Sequence, residues 1–197
     1  MAALPGTYTV QLSKYVDGEF AALTEPESFE LVPLQRQSLP ANRRAKFDFE
    51  KRVSQLQHAV QSLDRSLDDA VNRVAAAKQA LYGAPQKSED LISRARDIER
   101  SLDEITVALR GDRTVSKRFE PTTPSLRQRI GRAAGGFWTT TGPTGTQQLC
   151  YEVAQGQFTE LRRRLQRVVD VDLATLERDM DKLDIPWTPG RTIPEGM

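Results

Sequence analysis

This 197-residue chain has one cysteine, one histidine, two tryptophans and almost no net charge, with 28 Lys+Arg against 27 Asp+Glu. Each scarcity closes off a class of function. A single cysteine, Cys150, forbids an intrachain disulfide, which fits the cytosol or a disulfide-free exported protein. It lies between Leu149 and Tyr151 in an apolar stretch, and the only histidine, His58, falls in a different helix. A buried thiol is expected there rather than a nucleophile. With no second histidine, a metal centre cannot be built on His58, so neither metal nor cofactor is expected. Charge balance removes the electrostatic argument for nucleic acid or an anionic membrane. The run Arg162-Arg163-Arg164 reads as a solvated helix face. No apolar run approaches the roughly 20 residues of a membrane-spanning helix. Met1-Ala2-Ala3-Leu4-Pro5 has neither the basic start nor the apolar core of a signal peptide. A soluble chain is expected, cytoplasmic or a piece of a larger exported protein, in a compartment the residues do not name.

What is abundant is helical patterning. Apolar residues recur in steps of three and four at Phe49, Val53, Leu56, Val60, Leu63, Leu67, Ala70, Val74, Ala77 and Leu81. Such a stripe lets a long helix bury one narrow face. Gly83 and Pro85 stop it, because glycine tolerates a left-handed cap and proline cannot continue a helix. Ser88 then offers an N-cap, with Glu89 and Asp90 at the positive helix end. A second stripe follows at Leu91, Ala95, Ile98, Leu102, Ile105 and Leu109, closed by Gly111. Thr123-Pro124 reads as an N-cap with proline at the first helical position, opening a short helix with Leu126, Ile130 and Ala133 inward. The last helix carries Tyr151, Ala154, Phe158, Leu161, Leu165, Val169, Leu173, Leu176, Met180 and Leu183. Consecutive steps of four at Leu165, Val169 and Leu173 mark a local stutter. Asp172 sits close to the core there. The spacing predicts helices at about 42–82, 88–110, 124–134 and 146–184. At roughly 1.5 Å per residue the first is about 60 Å long and the second about 33 Å, so the second and third together are needed to match the first. The expected fold is mainly α: an elongated antiparallel three-helix bundle over 40–185 with a broken middle helix.

An interchain coiled coil is the competing use of the same stripe. Ala59, Ser66, Val71 and Ala80 flank the seam, where a two-stranded coil prefers Glu and Lys. Small flanks widen the buried face toward two neighbours, and the tight Gly83/Pro85 stop favours a hairpin within one chain.

Residues 1–36 read differently. Tyr8, Val10 and Leu12 alternate with polar residues, Asp17-Gly18 is a hairpin turn, and Ser28 to Val32 alternates again before Pro33. Three strands alone are marginal, so a small antiparallel β element is expected, either the end of a larger sandwich or docked on helices. No carboxylate pair on a helix has acid–base spacing: Asp68-Asp69, Asp170/Asp172 and Asp179/Asp181 lie one or two apart and do not face each other. The loop from Gly135 to Thr146 holds four glycines among hydroxyls but lacks the lysine and strand of a phosphate loop. It reads as a crossover with Trp138 packed and the threonines capping. The tail 186–197, with Trp187 and Arg191, reads as an apolar clasp. Phe137, Trp138, Trp187 and Arg191 are the expected interaction residues. No catalytic residue is assigned.

Short motifs along the chain carry a resemblance. Leu4-Pro5-Gly6-Thr7-Tyr8-Thr9-Val10 looks like a terminal sandwich strand. It is followed by a helical pair, Pro124-Ser125-Leu126, then Pro143-Thr144-Gly145-Thr146-Gln147 with Tyr151, and Pro186-Trp187-Thr188-Pro189-Gly190-Arg191. This order resembles the C-terminal region of bacterial sortilin-like, BNR-repeat "glycosyl hydrolase" proteins. The family's Asp-box repeats, Ser-x-Asp-x-Gly-x-Thr-Trp, and their propeller are missing here. The resemblance therefore implies a non-catalytic docking or assembly module with a protein partner. The alternatives are an accessory fragment of a hydrolase whose propeller lies on another chain, and a coiled-coil oligomerisation protein.

Overall fold

The Asp17-Gly18 turn sets the geometry of the N-terminal segment, because Asp17 (φ 53°) and Gly18 (φ 89°) both adopt the left-handed conformation of a two-residue type I′ hairpin. The computed structural model describes residues 3–33, 42–86, 88–118, 120–139 and 141–193. The expectations at 34–36, 40–41 and 194–197 lie outside them. The chain divides into two compact units, one of residues 1–52 with 136–144 and one of 53–135 with 145–197.

In the first unit the strands are β1 (Gly6–Val10), β2 (Ser13–Val16), β3 (Glu19–Ala22) and β4 (Glu27–Leu31). β2 pairs with β3 across the turn and β1 with β4, both antiparallel. Three strands were expected; four are present because the first arm breaks at Gln11-Leu12. Two residues there face four, 23–26, on the return arm. Thr24 bridges the mismatch: its hydroxyl accepts from the Leu12 amide at 3.2 Å while its carbonyl accepts from the Gln11 side chain at 3.1 Å. Alternation puts Tyr8, Val10, Phe29 and Leu31 on one face of β1–β4 and Thr7, Thr9, Ser28 and Glu30 on the other.

Helix α1 (Arg43–Gly83) opens in this unit, where Asn42 Oδ1 accepts from the Ala45 amide. Glu50 is buried and paired with Lys46, whose ammonium also donates to the Phe137 carbonyl at 3.2 Å. The i, i+4 pair thereby ties the 136–144 loop to the first turns of α1.

In the second unit α1 continues, followed by α2 (Glu89–Arg110), α3 (Arg113–Lys117), α4 (Leu126–Ala134), α5 (Gly145–Arg167), a π-helical stretch (Val168–Leu173) and α6 (Ala174–Lys182). The chain is mainly helical. Every residue of the two predicted stripes is buried, from Val53 to Leu81 and from Leu91 to Leu109. Ser88 caps α2 as expected, accepting from the Leu91 amide. The cap of α4 does not fall at Thr123. It is Ser125, whose hydroxyl accepts from the Gln128 amide while Gln128 Oε1 accepts from the Ser125 amide. This capping box satisfies two donors reciprocally, which a lone threonine before proline cannot do. Arg110 of α2 binds Asp64 (2.7 Å) and Asp68 (2.6 Å) of α1, and Arg96 binds Tyr82. Late α1 meets early α2, so the two run antiparallel.

The stutter is resolved by the π-helical stretch, where the Ala174 amide donates back five residues to the Val169 carbonyl. One extra residue is accommodated. The seam accordingly runs Leu165, Val168, Leu173, with Val168 buried and Val169 only half-buried. Val169 was expected on the seam. Leu183 was too, but it is exposed, because α6 ends at Lys182. The Ile185 amide returns to the Met180 carbonyl and the Asp184 amide to the Asp181 carbonyl, with Asp184 left-handed at φ 51°. This is a Schellman cap with aspartate where glycine is usual.

Two outcomes follow from this geometry. Deleting Asp170 should leave Leu165 and Leu173 seven apart and restore α-helical bonding, changing stability by less than about 1 kcal/mol. Deleting Gln155 shifts the register of every later seam residue and should cost several times more; chemical denaturation measures both. Asp184→Gly should raise stability by up to about 1 kcal/mol by relieving the left-handed strain, read as a higher thermal midpoint.

Candidate functional site

The functional residues expected in the tail converge on one arginine. Arg191 is buried, and its guanidinium holds Asp181 through both Nε (3.0 Å) and Nη2 while donating to the carbonyls of Ile185 and Pro186 (2.8 Å from Nη1). The Trp187 indole donates to the Arg191 carbonyl at 3.2 Å. Ile185 and Thr188 are buried, but Trp187 is 48% exposed. The tail is centred on a polar group where an apolar clasp was expected: the guanidinium supplies donors to the carbonyls of Ile185 and Pro186, beyond the end of α6.

The turn that follows is pressed onto α1. A Cβ at Gly190, where φ is +96°, would lie 2.6 Å from Arg73 Nε. Arg73 in turn grips Glu177 of α6 in a bidentate pair, Nε at 3.0 Å and Nη2 at 2.7 Å. Glu177 is buried, so its charge needs such a partner. Residue spacing carries no sign of this pairing, since the two residues lie on different helices.

A second cluster surrounds Asp64, which receives Arg110 of α2 and Arg127 of α4. The two carboxylates bound to Arg110 hold its guanidinium charged, raising its pKa. A third joins Arg94 of α2 to Asp179 of α6 at 2.8 Å, with Lys182 on the other oxygen at 2.8 Å. Hydrogen bonds from Lys182 first and Arg94 second pull the Asp179 carboxyl down to about 2. These groups are fixed charges that hold helices together. None of the shifts moves a carboxyl toward neutrality, where a general acid or base works best.

The remaining expected residues separate. Phe137 is half-buried, with its carbonyl on Lys46. Trp138 is 82% exposed, contrary to the packed position expected for it, and contributes an open indole face. His58 is exposed on α1 and Cys150 half-buried on α5. Asp172 is half-buried and lines an open cavity of about 430 Å³ with Arg94, Asp97 and Ser101. A groove of about 500 Å³ runs between α1 and α5, lined by Ala59, Ser66, Phe158 and Leu165, with Arg162 and Asp170 on it. Among the described residues no group of three or more His, Cys, Asp or Glu is placed to hold a metal ion, and no helix is long and apolar enough to cross a membrane.

The contact between Gly190 and Arg73 generates a thermodynamic-cycle prediction. Gly190→Ala should destabilise by about 2–3 kcal/mol through the forced displacement of Arg73 and the strained φ. Combined with Arg73→Ala the loss should fall well short of the sum, measured by denaturant titration. Acid titration gives another. Asp179 is depressed in the folded state, so the stability it contributes is complete above its ordinary value near 4 and disappears as pH falls toward about 2. Asp179→Asn should flatten the pH dependence of the thermal midpoint in that window.

Comparison with protein-family models, with curated proteins and with solved structures finds no match to this chain.

Proposed function

We propose that this chain is a non-catalytic structural and protein-interaction module whose helices form an antiparallel three-helix scaffold, with α2 and α4 together as the broken middle rod. The interhelical ties support that arrangement: Arg110 and Arg127 on Asp64, Arg164 of α5 on Glu104 of α2, and Arg73 on Glu177. The observation that carries the functional reading is the distribution of chemistry. Charged side chains at the helix contacts are held in arginine–carboxylate pairs, while large apolar side chains are left on the surface of the N-terminal strands. Eight of the eighteen exposed large apolar side chains among the described residues lie between Val10 and Val32. A surface of that kind marks a contact with another protein.

The reading agrees with the resemblance to the C-terminal region of sortilin-like, BNR-repeat proteins, which places hydrolysis in a propeller this chain lacks. A protein is the partner favoured by balanced charge, since nucleic-acid affinity rests on a basic surface. The purified chain should unfold cooperatively and leave chromogenic glycosides untouched at micromolar protein concentration. Turnover above the uncatalysed rate, abolished by heat, would sink the proposal. Light scattering should give a concentration-independent monomer; a dimer that dissociates on dilution would favour a coiled-coil oligomer.

A further inference from the structure

The β1–β4 half of the N-terminal ribbon is a sheet of two strands, and among the described residues each strand keeps one outer edge unpaired. Such an edge is a template for another strand unless it is blocked, usually by lysine, proline or a bulge. Here proline, lysine and the irregular break stand outside these two strands, and the charges within them are both acidic, Glu27 and Glu30 of β4. Pro5 precedes β1, Pro26 precedes β4, and the irregular break lies beyond Val10; Gly6–Val10 and Glu27–Leu31 contain neither proline nor lysine. One face of this sheet is mostly apolar, with Tyr8 and Phe29 stacked at 5.9 Å, Phe29 49% exposed and Glu27 at one end opposite Val10. A two-stranded sheet with an open apolar face is marginal by itself and gains from a third strand.

Charge decides between occupants. From Gly6 to Leu31 the ribbon carries five carboxylates (Asp17, Glu19, Glu25, Glu27 and Glu30) against one lysine, Lys14, a net charge of −4. A second copy of the ribbon would bring the same charge of −4 to the edge and be repelled. A cationic strand would be attracted. β4 holds Glu30 on the polar face and Phe29 and Leu31, after Glu27, on the other, so the matching pattern alternates apolar residues with Lys or Arg.

We infer that the free edge of β4 accepts an extended basic segment of another protein by strand addition, its apolar residues extending the Tyr8–Phe29 face and its cations lying opposite Glu30. Backbone hydrogen bonds supply the pairing, and the acidic edge supplies the choice of partner. This inference rests on the interaction-module reading and assigns its surface.

The test uses the full chain and a labelled seven-residue peptide of alternating Lys and Val, with a Glu/Val peptide of equal length as counterpart. Fluorescence anisotropy should show saturable binding of the Lys/Val peptide at least tenfold tighter than the Glu/Val one. Amides within Glu27–Leu31 should gain hydrogen-exchange protection. Glu30 is exposed, so Glu30→Lys should keep the fold and at least equalise the two peptides, whereas Phe29→Ser should weaken both. Equal binding of the peptides to the unaltered chain would overturn the inference, and so would protection confined to the helices. Self-association abolished by Phe29→Ser would overturn it in favour of a second copy. Glycoside turnover bears on the module reading alone and leaves the exchange result unaffected, so the two failures are distinguishable.

Discussion

A helix can keep a side chain on a buried line only by steps of three or four, and most of this molecule follows from that constraint. The seam on α1 obeys it from Val53 to Leu81, with Leu67, Ala77 and Leu81 essentially inaccessible to solvent. A buried leucine of this kind is worth several kcal/mol, counting the cavity its loss would leave. α2 and α4 meet the same requirement with shorter stripes. The return helix departs from it once, between Val168 and Leu173. There the backbone adopts π geometry, which keeps Leu176 and Met180 buried beyond the insertion.

The polar layer is subordinate to that seam but gives it direction. Asp64 collects arginines from two helices, and Arg73 and Arg94 each reach a carboxylate of α6. Exposed ion pairs contribute little. Pairs such as Arg73–Glu177, with the carboxylate buried, matter more because either charge left alone would be costly. Their service is specificity of register, since a helix that slid by one turn would keep its apolar contacts and lose its charge partners.

Local signals were legible in the sequence and long-range ones were not. Ser88, Gly111 and the Asp17-Gly18 turn act through neighbours a few residues away, so their roles could be read from spacing. The stripes were legible because periodicity is a property of one helix at a time. Ser125 was misjudged in favour of Thr123-Pro124 because a reciprocal Gln128 contact outweighs a proline preference. The stutter at Leu165, Val169 and Leu173 announced an irregularity, but an α-helical period cannot tell that Val168 replaces Val169. Arg191 was visible as a tail residue and invisible as a buried hub, because the Asp181 carboxylate and the two backbone carbonyls it binds are brought together only by the folded turn. Trp138 was expected to be packed on hydrophobicity alone, and its exposure shows how weak that inference is for one side chain in a glycine-rich loop.

The close approach of Gly190 to Arg73 makes two distant positions unequal hostages of each other. A side chain at 190 would force Arg73 to shift beside Glu177, so the guanidinium keeps its present place only with glycine there. The reverse does not hold. A lineage that lost Arg73 would gain room at position 190, yet the backbone at φ +96° would still favour glycine. Dependence at this corner of the fold therefore has a direction: the arginine relies on the glycine for its place, and the glycine answers first to its own backbone.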